Sequence, residues 1–221
     1  MAKQGKGVKM KQSPPRNQRQ MKELNTPGFT QDAVEPVKST EGPLFFFKED
    51  QENGWLCQWY RCHFRDPAHG DLGTFNCAEQ WMMYHKAMAF GDQEAASLVM
   101  KTTSPRKQKG LARNVANFDD LRWSKIRSRI VATGNYLKFT QCTNVASFKM
   151  DDEGDPVPLK ELLLATGDRE LVEASPFDRV WGIGFNAQEA PNVPRAQWGE
   201  NLLGKALMKV RDRIRREAED V

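Results

Sequence analysis

The sequence predicts an α+β fold that is mostly α-helical, with a few short strands, and three observations carry that reading. Apolar residues recur at helical spacing over long segments, most clearly where Leu203, Leu207, Val210 and Ile214 share one face. Capping residues and breakers punctuate these segments: Asn76, the Asp119-Asp120 pair, and Gly167 past a helix end. Strand-like character is confined to brief stretches near the start of the folded part and around "ELVEAS".

Taken in order, residues 1–42 are rich in Lys, Gln, Pro, Ser and Asn and poor in large apolar groups. They cannot bury enough surface to offset the entropy of ordering, so a disordered basic arm is expected. Lys3, Lys6, Lys9, Lys11, Arg16, Arg19 and Lys22 all precede the first acid, Glu23. Scattered charges of this kind suit a solubilising tail, or loose attachment to nucleic acid through phosphate. "PLFFFKE" then reads as a strand by its aromatic run. "WYRCHFRD" reads as its pairing neighbour, because Tyr60, Cys62 and Phe64 alternate with Arg61, His63 and Arg65. "DPAHGDLG" supplies a turn. Helices are expected at about residues 77–90, 92–102, 105–115, 119–134, 158–166 and 200–217, the last with Lys209, Arg211, Arg213, Arg215 and Arg216 mostly facing water.

A chain of 221 residues with 39% hydrophobic content can bury one sizeable core, so a single domain plus the arm is expected. The net charge of +4 is contributed largely by the arm, which leaves the folded part near neutral. There is no run of about 18 apolar residues, and the start lacks the apolar stretch of a secretory signal. An intracellular protein without membrane attachment is the expectation. Cys57, Cys62, Cys77 and Cys142 show no disulfide-framework spacing and are expected as free thiols. The spacing from Cys57 through Cys62 and His63 to His69 lacks the close cysteine pair of a zinc site, so no metal enters the reading. Rossmann and P-loop fingerprints are missing, and no cofactor is implied.

Two stretches carry candidate chemistry. In "TFNCAEQWMMYHKAMAF", Asn76 is a good N-cap, which makes Glu79 a capping-box carboxylate in the plain reading. Lys86 lies two turns further along the same face, and its long stem leans back toward the helix start, so acid and amine can share one pocket. In "LVEASPFDRVWGIG", Ser175, Pro176 and Asp178 read as the cap of a short helical turn. Capping does not account for the next residues: Trp181 offers a flat face for stacking, and Gly182 and Gly184 permit close backbone approach. Trp123 fits either a core or a site position, as do Trp55, Trp59 and Trp198.

Together these motifs resemble the NADAR, or YbiA-like, family. The resemblance runs from about Phe45 to the last helix through "CAEQWMMYHKAMAF", "GLARNVANFDDLRW", "KF" at Lys138-Phe139, "LLLATGDRELVEASPFDRVWGIG" and "WGENLLGKALMKVR", in that order. It implies one compact, largely helical domain over residues 43–221 that cleaves N-glycosidic bonds. The family pattern centres on Glu79, Lys86, Trp123, Asp178, Trp181 and Gly182. Gly184, Trp59 and Asn201 join Trp123, Trp181 and Gly182 as candidate substrate contacts. Where relatives often carry a Ser-Asn-Phe type segment this chain has "CQWY", which leaves the contact to the departing base open.

Breaking a ribosyl C–N bond builds positive charge at the anomeric carbon and negative charge on the base. A carboxylate in a partly dry pocket stabilises the first and activates water. Glu79 is the candidate, with Asp178 either sharing that role or orienting the ribose hydroxyls. Lys86 is a phosphate cation or, with its amine made neutral by burial, a Schiff-base nucleophile. Among the family's substrates, ADP-ribosylated guanine in nucleosides or nucleic acid is the expected one, because the basic arm suits a polyanion. Ribosylamino-pyrimidine phosphates of riboflavin synthesis are the alternative, and a non-catalytic ADP-ribose-binding module is the alternative from another class.

Overall fold

Two short strands a hundred residues and more apart in sequence meet to form the sheet: β1 (Leu44–Phe46) pairs in parallel with β2 (Leu171–Glu173), with Leu44 opposite Leu171 and Phe46 opposite Glu173. Parallel neighbours require a long crossover. Among the described residues it contains five α-helices: α1 (Ala78–Ala89), α2 (Gln93–Lys101), α3 (Pro105–Leu111), α4 (Asp120–Gln141) and α5 (Leu159–Ala165). The closing helix, α6 (Leu202–Glu219), follows β2. A computed structural model describes residues 42–142 and 156–220, all within one unit of the chain. The arm expected over residues 1–42 lies, Gly42 apart, outside the described residues.

Helix α1 packs against α2, α3 and α4, while α4 packs on α6 and α6 on β2. Ten of the twelve residues of α1 are buried, so its face toward α4 and its face toward α2 are both in the core. The α4 contact is unusually close. A Cβ added at Gly134 would lie 2.3 Å from Trp81 Cδ1, and the indole is held there by a 2.8 Å bond from Nε1 to the Ile130 carbonyl. Gly134 therefore marks a helix crossing and not a helix end, and α4 runs on to Gln141 past the expected end at 134. Lys138 and Phe139 fall inside it, both fully buried, with the Lys138 ammonium 2.9 Å from the Cys57 carbonyl.

The expected pairing of "PLFFFKE" with "WYRCHFRD" is not formed. The alternating burial of Tyr60, Cys62 and Phe64 is real, but the segment makes only an isolated antiparallel bridge, Phe64 to Phe75. Burial alternation reports which side faces the core, and β1 finds its partner across the chain. The expected helix over 105–115 is α3 followed by a short 3-10 turn over Ala112–Asn114. In α6 the predicted apolar face is buried, but so is Arg211, whose guanidinium bonds the Thr166 hydroxyl at 2.8 Å and the Arg169 carbonyl at 3.0 Å. The four cysteines are free and buried. Among the described residues no helix is long and apolar enough to cross a membrane.

Candidate active site

The N-terminus of α1 differs from the expected capping box in a way that exposes its chemistry. The N-cap is Cys77, without a side-chain cap bond. Asn76 instead belongs to a buried amide network: its backbone N–H donates to Gln80 Oε1 at 2.8 Å, and its Oδ1 accepts from Gln108 at 3.1 Å. Gln80 does the work assigned to Glu79, so Glu79 is released from capping. Its side chain is only 5% exposed, and Oε1 has no hydrogen-bond partner.

A buried carboxylate without a full set of donors is costly, and such groups concentrate at functional sites. Burial is the main reason that the Glu79 carboxyl is pushed up to about 7; the Lys109 ammonium and an indole N–H from Trp59 oppose this, and the Asp178 charge adds to it. Glu79 and Asp178, expected to share one site, are thus within electrostatic reach of each other.

Asp178 sits in a turn and not at a helix start. Its Oδ1 accepts from the backbone amides of Val180 at 2.9 Å and Trp181 at 2.8 Å, which leaves Oδ2 outside that turn. The following segment is fastened to the start of α6 by Gly199 N–H to the Ile183 carbonyl, Asn201 N–H to Gly182, Leu202 N–H to Val180 and Leu203 N–H to Trp181. Trp181, half-buried, stands 5.9 Å from the Arg127 guanidinium on α4. Arg127 Nε is buried without a partner, and its Nη2 lies 3.6 Å from Glu200.

The two glycines and Asn201 have a different reason from the one expected. A Cβ at Gly182 would lie 2.7 Å from the Glu173 carbonyl oxygen and 3.1 Å from that of Asp178. At Gly184, where φ is +78°, it would meet the Arg179 side chain at 2.7 Å. The space that a side chain would take is occupied by the protein at each, so these glycines let the loop fold closely, at Gly182 onto β2 and at Gly184 against Arg179. Asn201 is buried in a left-handed conformation, with Oδ1 accepting from Glu173 N–H at 3.1 Å and Nδ2 donating to the Leu171 carbonyl at 2.9 Å. Its amide extends the strand pairing of β2, a bracing role that leaves neither end of the side chain free of a protein partner.

Lys86 keeps other company. Its ammonium donates to the Ala112 carbonyl at 2.8 Å and lies 4.2 Å from the Phe118 ring and 5.8 Å from the ring of buried Trp123. Burial pulls its pKa down, and Asp120 works against that. The lysine whose charge reaches Glu79 is Lys109, on α3, a residue that the sequence did not single out. Lys86 and Trp123 come together, as do Glu79, Trp59 and Asp178. Arg127, one helical turn beyond Trp123 on α4, connects the Trp123 neighbourhood to Trp181.

The sequence reading also missed Glu173. It lies on β2 after two fully buried residues, half-buried itself, with Oε2 enclosed and unpartnered. Burial, then Asp178 and Glu79, raise its carboxyl to about 8 against the pull of Lys109. The available signal was an acid continuing an apolar strand in "LVEAS". Glu79 and Glu173 are therefore both within electrostatic reach of Asp178 and Lys109, with the Trp59 indole N–H on Glu79. Two surface hollows of about 500 Å³, one lined by residues from Asp92 to Asn114 and one beside Trp198, contain none of these residues.

Comparison with known proteins bears on this arrangement. Residues 45–215 match the family model described as the NADAR domain. An N-glycosidase of Acanthamoeba polyphaga mimivirus is 41% identical over 157 residues, which are 70% of this chain and 84% of that protein. A riboflavin biosynthesis protein of Vibrio vulnificus is 28% identical over 178 residues, 80% of this chain and 40% of that one. The NMR structure of the E. coli protein YbiA superimposes with a TM-score of 0.61 at 19% identity, over 84% of this chain and 92% of that chain, a likeness of fold.

Proposed function

The chain belongs to the NADAR family, and on that premise we propose that it is an N-glycosidase that removes ADP-ribose from guanine in nucleosides or nucleic acid. The observation that carries the chemistry is Glu79: a buried carboxyl, raised to about 7, set among Asp178, Trp59 and Lys109. Near neutral pH such a group changes protonation readily, which suits a general base that takes a proton from water. Asp178, whose Oδ1 is already engaged by two backbone amides, offers a fixed charge to the cationic ribose. Trp59 donates to Glu79, Trp181 is bound through its backbone to Asp178, and Lys109, with Arg127 beside Trp181, offers positive charge for a diphosphate.

The choice of an ADP-ribosylated substrate rests on charge. Seven basic residues precede the first acid in the arm, and a polyanionic substrate suits them. One observation favours a second reading, a ribosylamino-pyrimidine phosphate: the likeness to the Vibrio vulnificus riboflavin biosynthesis protein covers 80% of this chain. Incubating the full chain with ADP-ribosylated guanosine and, separately, with the ribosylamino-pyrimidine phosphate, and detecting released base by mass spectrometry, decides between them. Release of guanine is expected. Base release from the pyrimidine alone would reverse the choice, and release from neither, with ADP-ribose still bound, would favour a binding module.

A further inference from the structure

We propose that Glu173 is a catalytic acid of this site, the donor of the proton that the departing base takes up, and that Asn201 is the residue that positions it. The inference rests on the N-glycosidase reading above. It starts from a strand. Glu173 ends β2, and both of its backbone groups are committed: N–H donates to Asn201 Oδ1 at 3.1 Å, and the carbonyl accepts from Ile183 N–H at 3.0 Å. The Glu173 backbone is thus held from both sides at the end of β2.

The Asp178 loop is then pressed onto it. Gly182 brings the Glu173 and Asp178 carbonyl oxygens so near that no Cβ fits between them. Two carboxyl oxygens, Glu173 Oε2 and Glu79 Oε1, are enclosed without hydrogen-bond partners, and the Glu79 charge reaches Glu173. Enclosure without donors disfavours the ionised form, so a carboxyl in that position holds its proton. The charged groups acting on Glu173 are Asp178 from the loop, Glu79 from α1 and Lys109 from α3; the first two add to burial and the third opposes it, leaving the group at about 8. Glu79 differs in receiving the Trp59 indole N–H, which favours its ionised form, whereas no donor opposes burial at Glu173; Glu173 is therefore the proton-bearing member and Glu79 the member able to accept one.

The division of labour follows and balances. The C–N bond breaks and its electron pair goes to the base nitrogen, which takes the Glu173 proton. The water oxygen bonds to the anomeric carbon, and its released proton goes to Glu79. A proton then passes from Glu79 to Glu173, and the net change is water added across the C–N bond. Two carboxyls whose surroundings set them apart in acidity perform opposite roles, as in other acid–base pairs. Because they interact, the two steps of titration belong to the pair.

The test uses the full chain, with kcat and KM for guanine release followed from pH 5 to 10. Wild type should show a bell-shaped profile, with an acid limb from the group that must lose its proton and an alkaline limb from the group that must keep one. Glu173→Gln should lower kcat by roughly 10²–10³-fold, the range of a lost general acid, and abolish the alkaline fall. Glu173→Asp, which keeps an acid on a shorter arm, should retain the fall with reduced kcat, and it serves if the Gln variant does not fold. Asn201→Gly keeps the left-handed backbone while removing the amide; it should cut kcat by roughly 10-fold and displace the alkaline limb with KM unchanged. A Glu173→Gln enzyme with wild-type kcat and an unchanged alkaline limb would overturn the inference while the N-glycosidase reading stands. No base release by wild type would overturn both.

Discussion

Replacing Glu79 with Gln should raise stability and remove activity, and the size of the first effect follows from burial. The carboxyl stands at about 7 in the folded chain against an ordinary 4.5. At about 1.36 kcal/mol per pH unit, ionising it inside the fold costs about 3 kcal/mol, an appreciable part of a domain's net stability. The sign follows from linkage. Below pH 4.5 both folded and unfolded chains carry the proton, and burial of this group exerts no penalty. Between 4.5 and about 7 the unfolded chain releases its proton while the folded chain keeps it, so the group's contribution is lost as pH rises and is gone above about 7. Glutamine nearly matches the shape and never ionises. Wild type and Glu79→Gln should therefore have similar urea midpoints at pH 4.5, and the variant should be higher by roughly 1–2 M at pH 8, taking about 2 kcal/mol per molar for the slope. Guanine release at pH 7 should fall by roughly 10²–10⁴-fold. Midpoint differences that are equal at both pH values, or a variant that keeps its turnover, would refute the account of a buried catalytic carboxyl.

Further outcomes are specific to single contacts. Asp178→Asn keeps an oxygen for the Val180 and Trp181 amides, so its urea midpoint should hold while base release drops by roughly 10²-fold; Asp178→Ala loses both bonds and should also unfold about 1–2 kcal/mol more easily. Gly134→Ala, which gains about 1 kcal/mol in an ordinary exposed helix, should instead lose about 1–2 kcal/mol, because the new methyl meets the Trp81 ring. Borohydride added during turnover should give a mass adduct on Lys86 if its amine attacks the ring-opened ribose, and the adduct should disappear in Lys86→Ala. Turnover without any adduct would leave Lys86 as a cation held against Phe118 and Trp123.

Much of this molecule was legible along the chain. The helices of α1, α2, α5 and α6 follow from apolar spacing and local stops, and the α6 face of Leu203, Leu207, Val210 and Ile214 is buried as its period requires. Gly167 closes α5 in a left-handed conformation, as expected of a residue past a helix end. The motifs that gave the resemblance lie within the 45–215 match to the family. Local spacing also marked Glu79 and Asp178, which the fold places within reach of each other. It went astray where a residue's environment comes from far along the chain. The expected end of α4 at 134 fell short of Gln141, and nothing near Gly134 announces its packing on Trp81; Gly182 was read for close approach, and the carbonyl of Glu173 that meets it belongs to another element.

Sequence by itself determined the helical elements, the family and the residue types from which a glycosidic site can be made. Only the tertiary structure decided which lysine accompanies Glu79, that Asn201 braces β2, and that Glu173 joins the carboxylates. The reason is physical: helix period, caps and breakers act over a few residues and are written in neighbouring positions. Desolvation and charge coupling are set by whatever packs within several ångströms, and here that includes α1, α3, β2 and the loop before α6 together.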